Sequence, residues 1–98
     1  MIYVDTPLEY PDELVKNKKR GNMWSHLATD GNIVELHKFA TKLGLKKEWF
    51  QKHQSVPHYD LIPNKIEMAV NKGAKLVSTM GLFKKCININ INIKENEL

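Results

Sequence analysis

A chain of 98 residues, 42% apolar and 27% charged, has globular rather than disordered composition and suits a single domain, expected over residues 1–98, with one modest core. Fifteen Lys and Arg against eleven Asp and Glu leave a net charge of +4, which admits a phosphate-bearing partner without demanding one. The lone Cys86 excludes an intrachain disulfide and a two-thiolate zinc centre, and with no signal-peptide pattern and no apolar run near the ~20 residues of a membrane span, no membrane association and a cytoplasmic location are expected.

Ile2-Tyr3-Val4 is a β-prone run expected to form a strand ending at Asp5. Pro7 and Pro11 each remove a backbone donor and fix φ, so no regular structure is expected around them. Residues 12–15 have room for one helical turn, and residues 16–22 read as a basic, polar loop. Ile33, Leu36, Phe39, Ala40 and Leu43 form one apolar stripe at helical spacing, which predicts a helix over residues 33–43. Asn32 and Glu35 have capping-box spacing, and Gly44 stands where a helix-ending glycine belongs. Residues 46–51 read as a short helical turn that docks Trp49 and Phe50.

Beyond Pro57, a second helix is expected from Pro63, because proline suits the first helical position. Ile66, Ala69, Val70 and Gly73 would line its inner side, with Gly73 ending it. Residues 75–79 read as a strand and residues 80–86 as a short helix carrying Leu82 and Phe83. In residues 87–93 isoleucine alternates strictly with asparagine. That period of two predicts a half-buried strand, one that could also pair between chains and make a homodimer. Strands alternating with helices argue for an α/β domain: a sheet of about three short strands, two main helices and one or two short helical turns.

Of the four histidines, His26 stands close before Asp30, His37 lies one turn into the first helix, and His58 is two residues before Asp60. Asp5 ends the first strand, and carboxyl ends of strands border the usual ligand crevice in α/β sheets. His37 lies about a quarter-turn from the centre of the apolar stripe, between core and solvent. Imidazole and carboxylate groups from His26, His37, Asp60 and Asp5, with His58 as ligand or general base, suit a divalent metal such as zinc or manganese. Tyr59 or Lys65 would steady developing charge. Lys18, Lys19 and Arg20 would contact phosphates, and Trp24 could stack on a base.

Blander readings fit the same residues. Asp60 could cap the second helix, Glu35 is explained by the capping box, and Trp24 and Tyr59 serve as core or rim aromatics. His37 has no histidine at i+4, Ser25 has no Gly-x-Ser-x-Gly elbow, and no Walker A or Gly-x-Gly-x-x-Gly pattern occurs.

The order of Asp5 after an apolar strand, Trp24-Ser25-His26-Leu27, Glu35-Leu36-His37-Lys38-Phe39-Ala40, His58-Tyr59-Asp60-Leu61, and Gly73-Ala74 before Val77-Ser78 resembles a family of small bacterial and phage proteins, domain of unknown function 4031. The resemblance covers about the first four-fifths of the chain. It implies that His26, His37, His58, Tyr59 and Asp60 matter together, since they fall on the recurring motifs, while His53 falls on none. Ile62 replaces the family's usual polar helix cap, and the Ile/Asn tail replaces a helical, basic end.

Two functions are expected from these residues. One is a metal-dependent hydrolase acting on a phosphodiester, as a nuclease or a nucleotide phosphodiesterase. The other is a non-catalytic accessory protein that binds nucleic acid, a nucleotide or a partner protein.

Overall fold

The computed structural model describes residues 1–9, 23–52, 55–87 and 89. The basic loop with Lys18, Lys19 and Arg20, the helical turn expected over 12–15, His53 and most of the Ile/Asn run lie outside the described residues.

The architecture is α/β, with more strands than the sequence announces. In chain order come β1 (Ile2–Asp5), β2 (Leu8–Glu9), β3 (Met23–Thr29), α1 (Ile33–Lys42), a 3₁₀ turn (Lys47–Trp49), β4 (Phe50–Gln51) and β5 (His58–Leu61). A second 3₁₀ turn (Pro63–Lys65), α2 (Ile66–Asn71), β6 (Lys75–Val77) and α3 (Thr79–Cys86) follow. The sheet has the order β4-β5-β3-β1-β6, and β2 also pairs with β3. Among the described residues only the β1–β6 pairing is parallel; the others are antiparallel. The expectation of about three strands is therefore corrected to a five-stranded mixed sheet among the described residues, while the two main helices and the short helix expected over 80–86 correspond to α1, α2 and α3. The strands expected over residues 2–4 and 75–79 are β1 and β6, the latter ending at Val77; the last expected strand, over 87–93, falls mostly outside the described residues.

The central strand β3 was hidden for a physical reason. A strand covered on both faces needs no alternation of apolar and polar residues, and Leu27, Ala28 and Thr29 are consecutively buried. β2 is a two-residue strand between Pro7 and Pro11, just long enough to pair Leu8 with Trp24 and Glu9 with Met23.

α1 forms where the apolar stripe places it, burying Ile33, Val34, Leu36 and Ala40. Asn32 caps it, although its Oδ1 accepts from the backbone N–H of Val34 at 2.8 Å rather than from Glu35. Gly44, at φ +83°, closes the helix in a Schellman turn: Leu45 N–H donates to Ala40 O at 2.9 Å and Gly44 N–H to Thr41 O at 3.0 Å. Gly73, at φ +112°, repeats the motif at the end of α2 through Ala74 N–H to Ala69 O and Gly73 N–H to Val70 O, both 3.0 Å. On α2 only Ala69 is buried; Ile66 packs on the core and Val70 is exposed. In the first 3₁₀ turn the expected docking divides: Phe50 packs on the core and Trp49 is 37% exposed.

The sheet separates two apolar cores. On one face, Val4, Leu27, Tyr59 and Leu61 pack against α1 and α2. On the other, Tyr3 and Ala28 pack against Leu82 and Cys86 of α3, together with Val56. Among the described residues no helix is long and apolar enough to cross a membrane.

Candidate metal centre

Strand register decides which polar side chains meet. Tyr3 pairs with Ala28 and both face α3. Two residues along each strand from that pair, Asp5 and His26 face the same side. His26 in turn pairs with Asp60 of β5, so Asp5, His26 and Asp60 form a row across three neighbouring strands. His58, two residues before Asp60, shares its face.

Asp5 is wholly buried and uses both carboxylate oxygens on one residue. Oδ1 accepts the backbone N–H of His26 at 2.6 Å, and Oδ2 lies 2.8 Å from His26 Nδ1. His58 Nδ1 lies 2.7 Å from the carbonyl oxygen of Val56. Both neighbours are acceptors, so each ring carries its proton on Nδ1. In the neutral tautomer the lone pair then falls on Nε2. The two rings meet edge to face with centroids 4.8 Å apart.

His58 Nε2 stands 3.4 Å from Asp60 Oδ1. Burial of the ring opposes its charge, but the Asp60 bond, the Val56 carbonyl and the charges of Asp60 and Asp5 outweigh it, so His58 is held above the usual imidazole range. Ligand atoms from His26, His58 and Asp60 all lie within 4.8 Å of one another. Two ligands held 2.0–2.1 Å from a tetrahedral metal are separated by about 3.3–3.4 Å, the spacing His58 and Asp60 already have.

The remaining candidates divide between the two faces. Trp24, half-buried, lies two residues from His26 on the same strand and so on the same face. His37 and Tyr59 lie on the opposite side. Tyr59 alternates with His58 and Asp60 along β5 and turns into the α1 core, where its Oη is 2.8 Å from His37 Nδ1. His37 also stacks edge-on against Phe50, with centroids 4.7 Å apart. Burial first, and then the charge of Lys47, hold His37 below the usual imidazole range. Lys65 donates from Nζ to the carbonyl oxygen of Leu43 at 2.7 Å, capping the end of α1 on that same side. Ser25 is fully buried and, one residue from His26, faces away from it. The Cys86 thiol is pushed up to about 12, chiefly by burial, so it supplies no thiolate near neutral pH.

Sequence reasoning missed two features of this centre. The Val56 carbonyl carries no residue-type signal at all. Asp5 was legible as a candidate ligand, but its role in orienting His26 depends on a pairing between β1 and β3 that only the fold reveals.

Residues 2–88 match the family described as Protein of unknown function (DUF4031). No curated protein and no solved structure gave a match.

Proposed function

The chain belongs to the DUF4031 family, whose description fixes no activity, and from that premise we propose that it is a metal-dependent hydrolase acting on a phosphodiester. His26, His58 and Asp60 hold one divalent ion of the zinc or manganese class, and Asp5 orients His26 from behind. The observation that carries this reading is the pair of rings whose Nδ1 atoms are both engaged by acceptors, with His58 Nε2 3.4 Å from a carboxylate oxygen. Metal-binding histidines characteristically use one nitrogen on the ion and the other on a carboxylate or a backbone carbonyl.

Charge supports the substrate class. Two neutral imidazoles and one carboxylate leave a divalent ion with a net charge of about +1, which favours an anionic substrate. Three protein ligands leave a coordination position for water or a phosphoryl oxygen, the arrangement of catalytic rather than structural sites. An ion held by His26, His58 and Asp60 would acidify a bound water to a pKa of about 7 and would polarise a phosphoryl oxygen. The protein supplies fixed ring orientation and, in half-buried Trp24, a wall beside His26.

The test begins with chelator-stripped protein titrated with zinc and with manganese. One ion per chain is expected, with stabilisation of about 4 kcal/mol at a thousandfold excess over Kd. Turnover of bis(p-nitrophenyl) phosphate is expected in the loaded protein. His58→Ala and Asp60→Asn lose both properties; His37→Ala, on the far face, keeps the metal. Well under one ion per chain, together with a Tm indifferent to EDTA, sinks the proposal.

A further inference from the structure

Apart from the basic loop at residues 16–22, the chain has a second strongly basic stretch, and this one lies wholly within the described residues. Residues 38–52 contain five lysines (Lys38, Lys42, Lys46, Lys47 and Lys52) and a single acid, Glu48. That gives +4, the net charge of the whole chain; the other residues balance at ten basic against ten acidic. The segment is the second half of α1, its Schellman turn, the 3₁₀ turn and β4. All five lysines are exposed. Lys38 and Lys42 stand one turn apart on α1, on the side opposite the buried Leu36 and Ala40. Among the described residues, none of Lys42, Lys46, Lys47 and Lys52 is held in an ion pair.

An aromatic ring lies within this field. Trp49 is exposed while its neighbour Phe50 takes the place in the core, and Lys46 Nζ lies 5.6 Å from the Trp49 ring centroid. Exposed lysines interleaved with an exposed aromatic ring match what single-stranded nucleic acid offers: a line of phosphates and unpaired base faces. A duplex offers the phosphates but buries the faces in its own stack. The segment also leads somewhere. β4 is an edge strand, and its Gln51 pairs with His58, so the basic stretch ends beside the strand that bears His58 and Asp60.

We propose that residues 38–52 form a docking surface for single-stranded nucleic acid, with lysines on the phosphates and a base stacked on Trp49, and that the strand continues over the β4 edge toward His58 and Asp60. The binding surface stands on its own charge and exposure. Only the delivery of a phosphodiester to the metal centre rests on the hydrolase reading.

The experiment measures anisotropy of a fluorescein-labelled oligothymidylate with the full chain in EDTA, so that metal plays no part. Four phosphate contacts, from Lys42, Lys46, Lys47 and Lys52, on a single strand predict that log K falls against log salt with a slope of about −2.8. Lys42→Glu/Lys46→Glu/Lys47→Glu, at exposed positions where circular dichroism verifies the fold, is expected to weaken binding at least tenfold. Trp49→Ala is expected to weaken it at least fivefold, in the range of a lost stacking contact. The proposal is overturned by salt-independent binding, by a triple variant that binds as the parent does, or by loss only in Lys18→Glu/Lys19→Glu/Arg20→Glu. Equal capture by phosphatidylserine vesicles through the same lysines also overturns it. The two readings fail separately. Oligonucleotide binding in EDTA without cleavage under zinc or manganese supports the surface and removes the hydrolase; turnover of bis(p-nitrophenyl) phosphate without oligonucleotide binding overturns the surface alone.

Discussion

Asp5 shows how much one buried side chain can do. A wholly buried carboxylate persists only when its oxygens are satisfied, and both are spent on His26, one on its backbone and one on its ring. Asp5→Asn keeps the shape but replaces one acceptor with a donor, so the ring loses the partner that fixes its tautomer. We expect metal affinity to fall about 10–100-fold, read by competition with a chromophoric chelator. Asp5→Ala strands the His26 N–H as well and is expected to cost about 1–3 kcal/mol in urea unfolding. Unchanged metal affinity in Asp5→Asn would detach Asp5 from the site.

Two histidines on opposite faces are set to titrate in opposite directions. His37 sits below the ordinary imidazole value through burial and Lys47, and His58 above it through Asp60 and Val56, which outweigh burial. The depressed His37 binds its proton less readily folded than unfolded, so its contribution to stability is complete above about pH 6.5 and is lost as pH falls through its lowered folded value. For His58 the sign reverses: its contribution is complete below about pH 6.5 and is lost as pH rises through the raised folded value. Imidazole NMR titration of metal-free protein should separate the two midpoints on either side of 6.5. Coincident midpoints would contradict the geometry of both sites.

At the scale of elements, the chain-end signals were the most legible. Asn32 and Gly44 bound α1 where the sequence puts them, because caps and helix-ending glycines act through local backbone geometry. β3 and β5 were not legible. β3 answers to both cores and shows no clean period of its own, while β5 does alternate but over four residues, too short a run to tell from a loop leading into a helix cap. Face assignment failed with them: a list of histidines and aspartates carries no register, and the sheet divides His37 and Tyr59 from His26, His58 and Asp60. The two Schellman glycines offer a paired test. Gly44→Ala and Gly73→Ala each force an L residue into left-handed backbone, at a cost of about 1–2 kcal/mol. A Cβ at Gly73 meets nothing within 4 Å, and one at Gly44 makes only an ordinary contact, 3.4 Å from the flexible end of Lys65, so backbone strain decides both. Gly73, at φ +112°, lies further from the left-handed well than Gly44 at φ +83°, so Gly73→Ala is expected to destabilise by more in thermal unfolding. A larger loss in Gly44→Ala would mean that the added methyl disturbs the Lys65 cap.

The whole molecule is layered unequally, and the candidate metal centre lies on the thinner side. α1 buries Ile33, Val34, Leu36 and Ala40 and is pinned at both ends. α3 buries Leu82 and Cys86 while leaving Met80 and Phe83 exposed, with Ile87 exposed at its end. Local opening follows buried contact, so the less anchored element opens at lower free energy. Amides of α3 are expected to exchange hydrogen through partial opening while those of α1 wait for global unfolding. Asp5, His26, His58 and Asp60 span β1, β3 and β5, and their bonds run within the sheet rather than from the sheet to α3. Zinc should therefore slow exchange in β3 and β5 and leave α3 nearly unchanged. Mass-resolved exchange with and without zinc would read both effects. Protection of α3 equal to that of α1 without metal would refute the unequal layering, and zinc protection confined to α3 would move the ion away from the three ligands.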